Sequence, residues 1–223
     1  MNRLTPALLF YVVATLLAAC EQRTHLPPLS AADSTAIVAE NLRWRASRET
    51  FFRTDPGSPF VTDSSVTFEP LRWYPVDPHF RATSLLHRYD DPPVVNIYGT
   101  GGEVRRHVRY GFFEFSVPDS TGKPVLVRLN VYKTAPDSPY ARVTRDLLSV
   151  WFTDETTGFE TYGVGRYVDV GNEDADPGHL YTIDLNKAYN PWCAYSPSYT
   201  CAVPSKEDHI PQRITAGELT YHH

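Results

Sequence analysis

The stretch VRRHVRYGFFEFSVPDSTGKPVLVRLNVYK, residues 104–133, decides the fold of this chain of 223 residues. Apolar and polar residues alternate through 104–117 and again through 125–133, which is the period of a half-buried β-strand. The intervening sequence Pro-Asp-Ser-Thr-Gly at 118–122 is typical of a tight turn in which glycine adopts a positive φ. The stretch therefore predicts two long antiparallel strands joined as a hairpin.

The same alternation continues on both sides of this hairpin. It occurs at 66–74, 80–86, 94–98, 147–152, 159–170 and 180–185. A second turn sequence, Asp-Glu-Thr-Thr-Gly, occupies 154–158. Strands joined by short turns, with no helical crossover between them, favour a mostly β fold. We therefore predict an antiparallel sandwich or a partly open barrel in a single domain.

The segments on both sides of this β-rich region have different sequence patterns. Residues 31–54 carry apolar residues at helical spacing, which predicts one N-terminal amphipathic helix with Asp33 or Ser34 as its N-cap. The sequence Asp-Pro-Gly-Ser-Pro at 55–59 would end this helix, because proline cannot continue it. Residues 190–211 contain four prolines and two cysteines, which predicts a loop-rich C-terminal belt.

The N-terminus has the pattern of a bacterial lipoprotein signal. Arg3 precedes an apolar run, LLFYVVATLLAA at 8–19, that is too short to span a bilayer. The run ends in Leu-Ala-Ala before Cys20, whose thiol would carry the diacylglycerol. We therefore predict a signal peptide at 1–19, and a lipidated Cys20 with a tether over 20–32. The domain would then occupy 33–223.

This anchor predicts where the chain resides. Multiple acyl chains, including a palmitate-type chain, would attach it to a membrane of the bacterial cell envelope, since each buried methylene adds about 0.8 kcal/mol. Glu21 after the lipidated cysteine favours the outer membrane, facing the periplasm. Loss of Arg3 with the signal changes the formal charge from -5 to -6. An acidic domain of this kind is a poor partner for nucleic acid.

Several motifs together resemble one protein family. They are Trp44-Arg45, FFRTDPGSP at 51–59, ETYGVGRY at 160–167 and DLNKAYNPWCAY at 184–195. The chain resembles the bacterial and archaeal domain of unknown function 1684 from about Trp44 to Glu218. The family has no assigned activity, so the resemblance indicates kinship without implying a chemistry.

Cys193 and Cys201 are the cysteines that remain after Cys20 is lipidated. In an oxidising envelope they are expected to pair, and closing this short loop would stabilise the fold by roughly 2–3 kcal/mol. A second interpretation is a metal site in which His209 joins the two thiolates, although the spacing differs from that of a zinc knuckle. A third is a redox-active or nucleophilic cysteine, which lacks a C-x-x-C motif.

Arg166 is the most informative charged residue. Alternation along 160–170 places its guanidinium on an otherwise apolar face, where it needs a partner. One interpretation is an internal salt bridge to Asp77, Asp184 or Glu160. The other is a pocket in which Arg166 binds the anionic group of a small ligand. Tyr162, Asn190, Tyr195 and Asp184 would complete that ligand site.

Other sequence features exclude some classes of enzyme but do not identify the function. The sequence NPWCAYSPSY at 190–199 is either a loop packed over an open barrel end or an aromatic platform for a carbohydrate. No nucleophile elbow, Walker loop or dinucleotide glycine pattern occurs, and we predict no cofactor. We predict an envelope lipoprotein that binds a small anionic or polar ligand or serves an interaction role. The alternative is an enzyme using an Arg166 pocket with His79, Asp184 or Cys193.

Overall fold

The hairpin predicted at 104–133 lies at the centre of the main sheet in the computed structural model, which describes residues 29–221. The predicted signal peptide, Cys20 and most of the tether lie outside these residues. The strands are β1 Arg81–Leu85, β2 His87–Arg88, β3 Val94–Tyr98, β4 Val104–Pro118, β5 Pro124–Thr134, β6 Leu147–Asp154, β7 Arg166–Asn172, β8 Leu180–Asp184 and β9 His209–Ile210. The predicted mostly β class is confirmed.

The main sheet is built by antiparallel pairing in the order β2-β4-β5-β6-β7. Strand β3 pairs with the first part of β4, and the short β9 lies parallel to the end of β6. The β4–β5 register shifts between Arg109 and Gly111. At Gly111 a β-carbon would lie 2.3 Å from the carbonyl oxygen of His87, so only glycine allows β2 to approach here.

A second sheet contains β1 and β8, which are antiparallel. Inward-facing residues of both sheets share one apolar cluster, and Phe113, Phe115 and Val117 alternate into it from β4 as the period of two predicts. The sheets do not close into a barrel, so the sandwich or open-barrel prediction is confirmed. A separate cluster of Ile97, Tyr132, Trp151 and Ala202 packs apart from this core.

The predicted N-terminal helix, α1, spans Ala31–Thr54, and a short helix α2 spans Pro59–Thr62. Helix α1 has the predicted bounds, but the hydroxyl of Ser30, rather than Asp33 or Ser34, accepts the capping hydrogen bond, which the backbone nitrogen of Asp33 donates. Its buried residues are Asn41 and Phe52, while Leu42 is exposed. The helix therefore docks on the domain through polar groups as well as aromatic packing. No helix described within 29–221 is long and apolar enough to cross a membrane.

Two predicted strand segments have a different structure. Residues 66–74 pair with the domain only through a bridge between Trp73 and Glu218. Residues 159–165 form turns, and β7 begins only at Arg166. Gly165, at φ 112°, ends the turn beside the carbonyl oxygen of Phe152, where a β-carbon would lie at 2.6 Å. The strict alternation assumed for Tyr162 and Arg166 is therefore wrong.

Candidate functional site

The five residues predicted to bind a ligand lie in separate groups of contacts. Arg166 pairs inside the core, and Asp184 lies beneath helix α1. Asn190 and Tyr195 share a buried carboxylate, whereas Tyr162 contacts a cysteine. The structure brings Asn190 and Tyr195 together and keeps the other three apart from them.

Arg166 is fully buried and ion-paired. Its Nη2 lies 2.6 Å from Oδ2 of Asp154, whose side chain is also fully buried. The guanidinium also donates to the carbonyl oxygens of Ala216 and Ile214. The internal salt bridge is present, but its acid is Asp154 rather than Asp77, Asp184 or Glu160. Because the guanidinium is enclosed by protein oxygens, the geometry does not support a ligand or enzyme pocket centred on Arg166.

Asp184 fixes helix α1 to the second sheet. Its Oδ2 accepts a hydrogen bond of 2.9 Å from Nδ2 of Asn41, and its Oδ1 accepts from the backbone and side chain of Asn186. Arg81 Nη1 lies 3.5 Å from the same carboxylate. The side chain is 5 % exposed. Asp184 therefore acts as a buried hydrogen-bond acceptor that joins the helix to β8.

Asn190 and Tyr195 belong to what we call the Glu218 network, which consists of Glu218, Tyr195, Arg48 and Asn190. The Tyr195 hydroxyl lies 2.7 and 2.8 Å from the two carboxylate oxygens of Glu218. The Asn190 backbone donates to Glu218, and Arg48 Nε lies 3.9 Å from it. Burial raises the pKa of Glu218 to about 7, although Arg48 and Tyr195 lower it. No open cleft reaches Glu218, which is 0 % exposed.

Tyr162 contacts the cysteine pair. Its hydroxyl lies 3.3 Å from the carbonyl oxygen of Cys193 and 3.7 Å from its sulfur. The predicted Cys193–Cys201 disulfide is not formed in the structure, where both are free thiols. The two residues are nevertheless adjacent, because the backbone nitrogen of Cys193 donates to Sγ of Cys201 at 3.2 Å.

The predicted metal alternative is not assembled. His209 lies on β9, and its Nδ1 contacts the Thr153 hydroxyl at 3.1 Å, so its partner is not a cysteine. Within residues 29–221, no group of three or more histidine, cysteine or acidic side chains is arranged to hold a metal ion. His79 is paired with Asp77 at 2.9 Å, but both side chains are about half exposed. A shallow cleft of about 520 Å³ between helix α1 and residues 76–79 borders this pair, and most of its lining is apolar.

An open cleft of about 400 Å³ lies beside the cysteine loop, and we call it the Arg105 cleft. It is lined by Arg105, Tyr167, Tyr189, Pro191, Trp192, Tyr199, Thr200 and Cys201. Strand β4 supplies Arg105, β7 supplies Tyr167, the segment after β8 supplies Tyr189, and the C-terminal belt supplies the rest. Arg105 and Thr200 also border a larger neighbouring cleft of about 750 Å³. The two clefts together form an accessible concave surface on this side of the domain.

The hydroxyls of the cleft tyrosines are already held by the protein. Tyr167 donates to the carbonyl of Ala202 at 2.7 Å, Tyr189 donates to Asp169 at 2.8 Å, and the Tyr199 hydroxyl lies 2.7 Å from that of Thr62. Trp192 and Tyr199 meet edge to face at 5.1 Å. These bonds fix the rings in place, so the cleft is lined by preorganised aromatic surfaces.

Two nitrogen donors of the cleft remain available. Arg105 uses Nε and Nη2 to contact Glu103 and Thr200. In the part of the chain that the structure describes, neither Arg105 Nη1 nor Trp192 Nε1 donates to another residue. Glu103 is ionised at neutral pH, because hydrogen bonding by Thr200 and by backbone lowers its pKa to about 2. Glu103 lines the larger neighbouring cleft, so the boundary between the two clefts, at Arg105, offers both donors and acceptors.

Residues 66–219 match the family described as protein of unknown function (DUF1684). The chain belongs to this family. The DUF1684 chain is also similar to the solution NMR structure of an uncharacterized protein from Haloarcula marismortui. The TM-score is 0.57 with 26% sequence identity, over 86% of this chain and 98% of that chain. No curated protein matches this DUF1684 chain.

The DUF1684 match includes all residues of the Arg105 cleft, whereas helix α1 lies before it. Sequence reasoning identified the aromatic loop but missed Arg105, Glu103 and Thr200. Arg105 stands in a run of alternating basic residues, which gave no reason to separate it from Arg106. Only the pairing of β3 with β4 and the position of the cysteine loop place Arg105 beside Trp192.

Proposed function

We propose that this DUF1684 protein is an envelope lipoprotein that binds a small polar ligand with an apolar face in the Arg105 cleft. The observation that carries the proposal is the combination of four half-buried aromatic rings with an arginine that keeps one nitrogen unpaired. Small-ligand sites commonly combine apolar walls with a few polar groups that fix orientation, and a volume of 400 Å³ lies within their usual range.

The charges around the cleft favour a polar ligand over a strongly anionic one. Arg105 is in contact with the ionised Glu103, so the two charges largely offset each other at the rim. Glu103 lines the larger neighbouring cleft, so a ligand that reaches the boundary between the two clefts can use Arg105 Nη1 and the Glu103 carboxylate together. Repulsion by Glu103 would weaken binding of a simple anion.

A carbohydrate is the ligand class that fits these properties. A sugar ring has apolar C–H faces that can pack on Trp192 and Tyr199, and its hydroxyls both donate and accept hydrogen bonds. The cleft rings are held by their own hydroxyl contacts, which reduces the entropy lost on binding. Envelope glycan is the abundant source of such rings in the compartment that the Cys20 motif predicts.

The anchor is tested separately from the ligand. Cys20→Ser in the full chain is expected to abolish incorporation of an alkyne-labelled fatty acid, because it removes the acceptor thiol. Membrane fractionation of the same cells is expected to move the protein from the membrane pellet to the soluble fraction. Continued labelling of the variant would contradict lipidation at Cys20.

Ligand binding is tested by titrating N-acetylglucosamine trisaccharide into the full chain carrying Cys20→Ser, followed by NMR. We expect shifts around Trp192 and Tyr199, and Trp192→Ala is expected to weaken binding about tenfold, which corresponds to about 1.4 kcal/mol. Phe159→Ala is the matched control, because Phe159 is an 87 % exposed aromatic outside the cleft. Equal loss in the two variants, or shifts only for an added benzoate, would overturn the carbohydrate proposal.

A further inference from the structure

Cys193 and Cys201 form a thiol pair that the proposed ligand binding does not use. Cys193 lies in the 3-10 turn Trp192–Ala194, and Cys201 lies eight residues further along, on the wall of the Arg105 cleft. The Cys193 N–H donates to Sγ of Cys201 at 3.2 Å. The backbone of Cys201 is also fixed, because its N–H donates to the Thr100 hydroxyl and its carbonyl oxygen accepts from the Thr100 N–H. The fold thus holds the two thiols together.

The environments of the two sulfurs are unequal. The Cys201 thiol donates a hydrogen bond to the sulfur of Cys193 and lowers the pKa of Cys193 to about 6, and the Tyr162 hydroxyl contributes to the same shift. Burial opposes this effect. The same thiol contact, together with burial, raises the pKa of Cys201, while the charge of Arg105 lowers it. Cys201 is 7 % exposed, whereas Cys193 is only half-buried.

We propose that Cys193 and Cys201 are a thiol–disulfide exchange site whose co-reactant is a low-molecular-weight disulfide. The Tyr162 hydroxyl lies 3.7 Å from the Cys193 sulfur, and Cys193 is the more exposed of the two cysteines, which makes it the attacking group. Cys201 is the more buried partner and lies close enough to resolve the intermediate. This assignment goes beyond ligand binding and does not depend on it.

The exchange has two balanced steps. The Cys193 thiolate attacks one sulfur of R–S–S–R, so a Cys193–S–S–R bond forms and an R–S⁻ thiolate leaves. Cys201 then loses its proton to the departing thiolate or to water, and attacks the Cys193 sulfur. The Cys193–Cys201 bond forms, and the second R–S⁻ leaves and takes up a proton from water. The protein dithiol is oxidised by two electrons, and the disulfide is reduced to two thiols.

The mixed disulfide also changes the acidity of the second cysteine. The interaction with the Cys193 thiol is the largest cause of the raised pKa of Cys201. Once Cys193 is bonded to R–S, that thiol no longer exists, so Cys201 ionises more easily. Formation of the mixed disulfide therefore promotes the attack by Cys201.

The test uses the full chain carrying Cys20→Ser, so that Cys193 and Cys201 are the only cysteines. The reduced protein is mixed with oxidised glutathione at neutral pH, and its intact mass is followed with time. We expect a transient glutathione adduct and then a protein lighter by two hydrogens. Cys201→Ser is expected to accumulate the adduct on Cys193, whereas Cys193→Ser is expected to react at least about tenfold more slowly.

Two results would overturn the proposal. One is an adduct that forms on Cys201 of the Cys193→Ser variant as fast as on Cys193 of the Cys201→Ser variant. The other is retention of both thiols by the folded protein while the same protein reacts in urea. The pH profile of iodoacetamide alkylation needs no variant in either cysteine. An inflection near pH 6 supports a Cys193 thiolate, whereas an inflection near 8.5, the value of an ordinary cysteine, contradicts it.

Discussion

The Glu218 network and the Arg105 cleft contain the same kinds of side chain but differ in access. The network combines Arg48, Glu218 and Tyr195, and the cleft combines tyrosines with Arg105, which is paired with Glu103. Glu218 is enclosed completely, and burial raises its pKa. Glu103 lies at an open rim, and hydrogen bonds lower its pKa. Composition alone therefore does not distinguish an internal network from a ligand site.

The distinguishing property is a polar atom that remains free in an accessible place. The Nη atoms of Arg166 donate hydrogen bonds to Asp154 and to backbone carbonyls, and the residue is fully buried. Arg105 keeps Nη1 free at the edge of an aromatic cleft. An arginine on an apolar face indicates that a partner is needed, but it does not say whether the protein supplies that partner.

The largest expected effect is the loss of stability when Arg166 is replaced by leucine, compared with the same replacement at Arg105. Arg166→Leu leaves the Asp154 carboxylate buried without its cation, and we expect a loss of about 3–5 kcal/mol in the free energy of unfolding. Arg105→Leu is the matched change on the open side, and we expect its effect to stay within about 1 kcal/mol, because its pair is partly solvated. Urea denaturation of both variants measures the difference.

A charge-removing second substitution sharpens this test. Asp154→Asn in the Arg166→Leu background removes the buried charge and keeps the oxygen that accepts from the backbone and hydroxyl of Thr156. Part of the lost stability is therefore expected to return. If Arg105→Leu destabilised the domain as much as Arg166→Leu, the contrast between a closed and an open site would be wrong.

The alternation of apolar and polar residues predicts most of the strands of the fold. Alternation along 104–133 predicted the central hairpin because β4 has one face in the core, as the buried Phe113 and Phe115 show. It failed at 159–165, where glycines at 158 and 165 adopt positive φ and turn the chain. An alternating sequence that is interrupted by glycine lacks the continuous pairing that makes a strand.

The site was less predictable because its residues are distant in sequence. Glu218 lies 23 residues beyond Tyr195 and 170 beyond Arg48, so no local pattern links them. The sequence places Asp154 in a predicted turn, yet it ends β6 opposite the beginning of β7 and pairs there with Arg166. The sequence predicts that the C-terminal belt is rich in loops. It does not predict that the belt forms one wall of the Arg105 cleft, because that position depends on tertiary packing.

A smaller effect is expected from the pH dependence of Glu218. The folded-state pKa of about 7 lies above the usual 4.5, so the folded protein holds this proton more tightly than the unfolded chain. The stabilising contribution of the protonated group is complete below pH 4.5 and is lost as the pH rises to about 7. At about 1.4 kcal/mol per pH unit, this window corresponds to about 3 kcal/mol.

Glu218→Gln removes the titrating group and keeps an oxygen that can accept from Tyr195 and from the Asn190 backbone. We expect urea denaturation between pH 4.5 and 7 to show a fall in stability for the native sequence and a flatter profile for the variant. Glu103→Gln is the matched change at the open rim. Because the pKa of Glu103 is lowered to about 2, its contribution is lost only below pH 4.5. Its variant should therefore keep the native slope, and parallel profiles for all three proteins would show that Glu218 is not the group that titrates in this window.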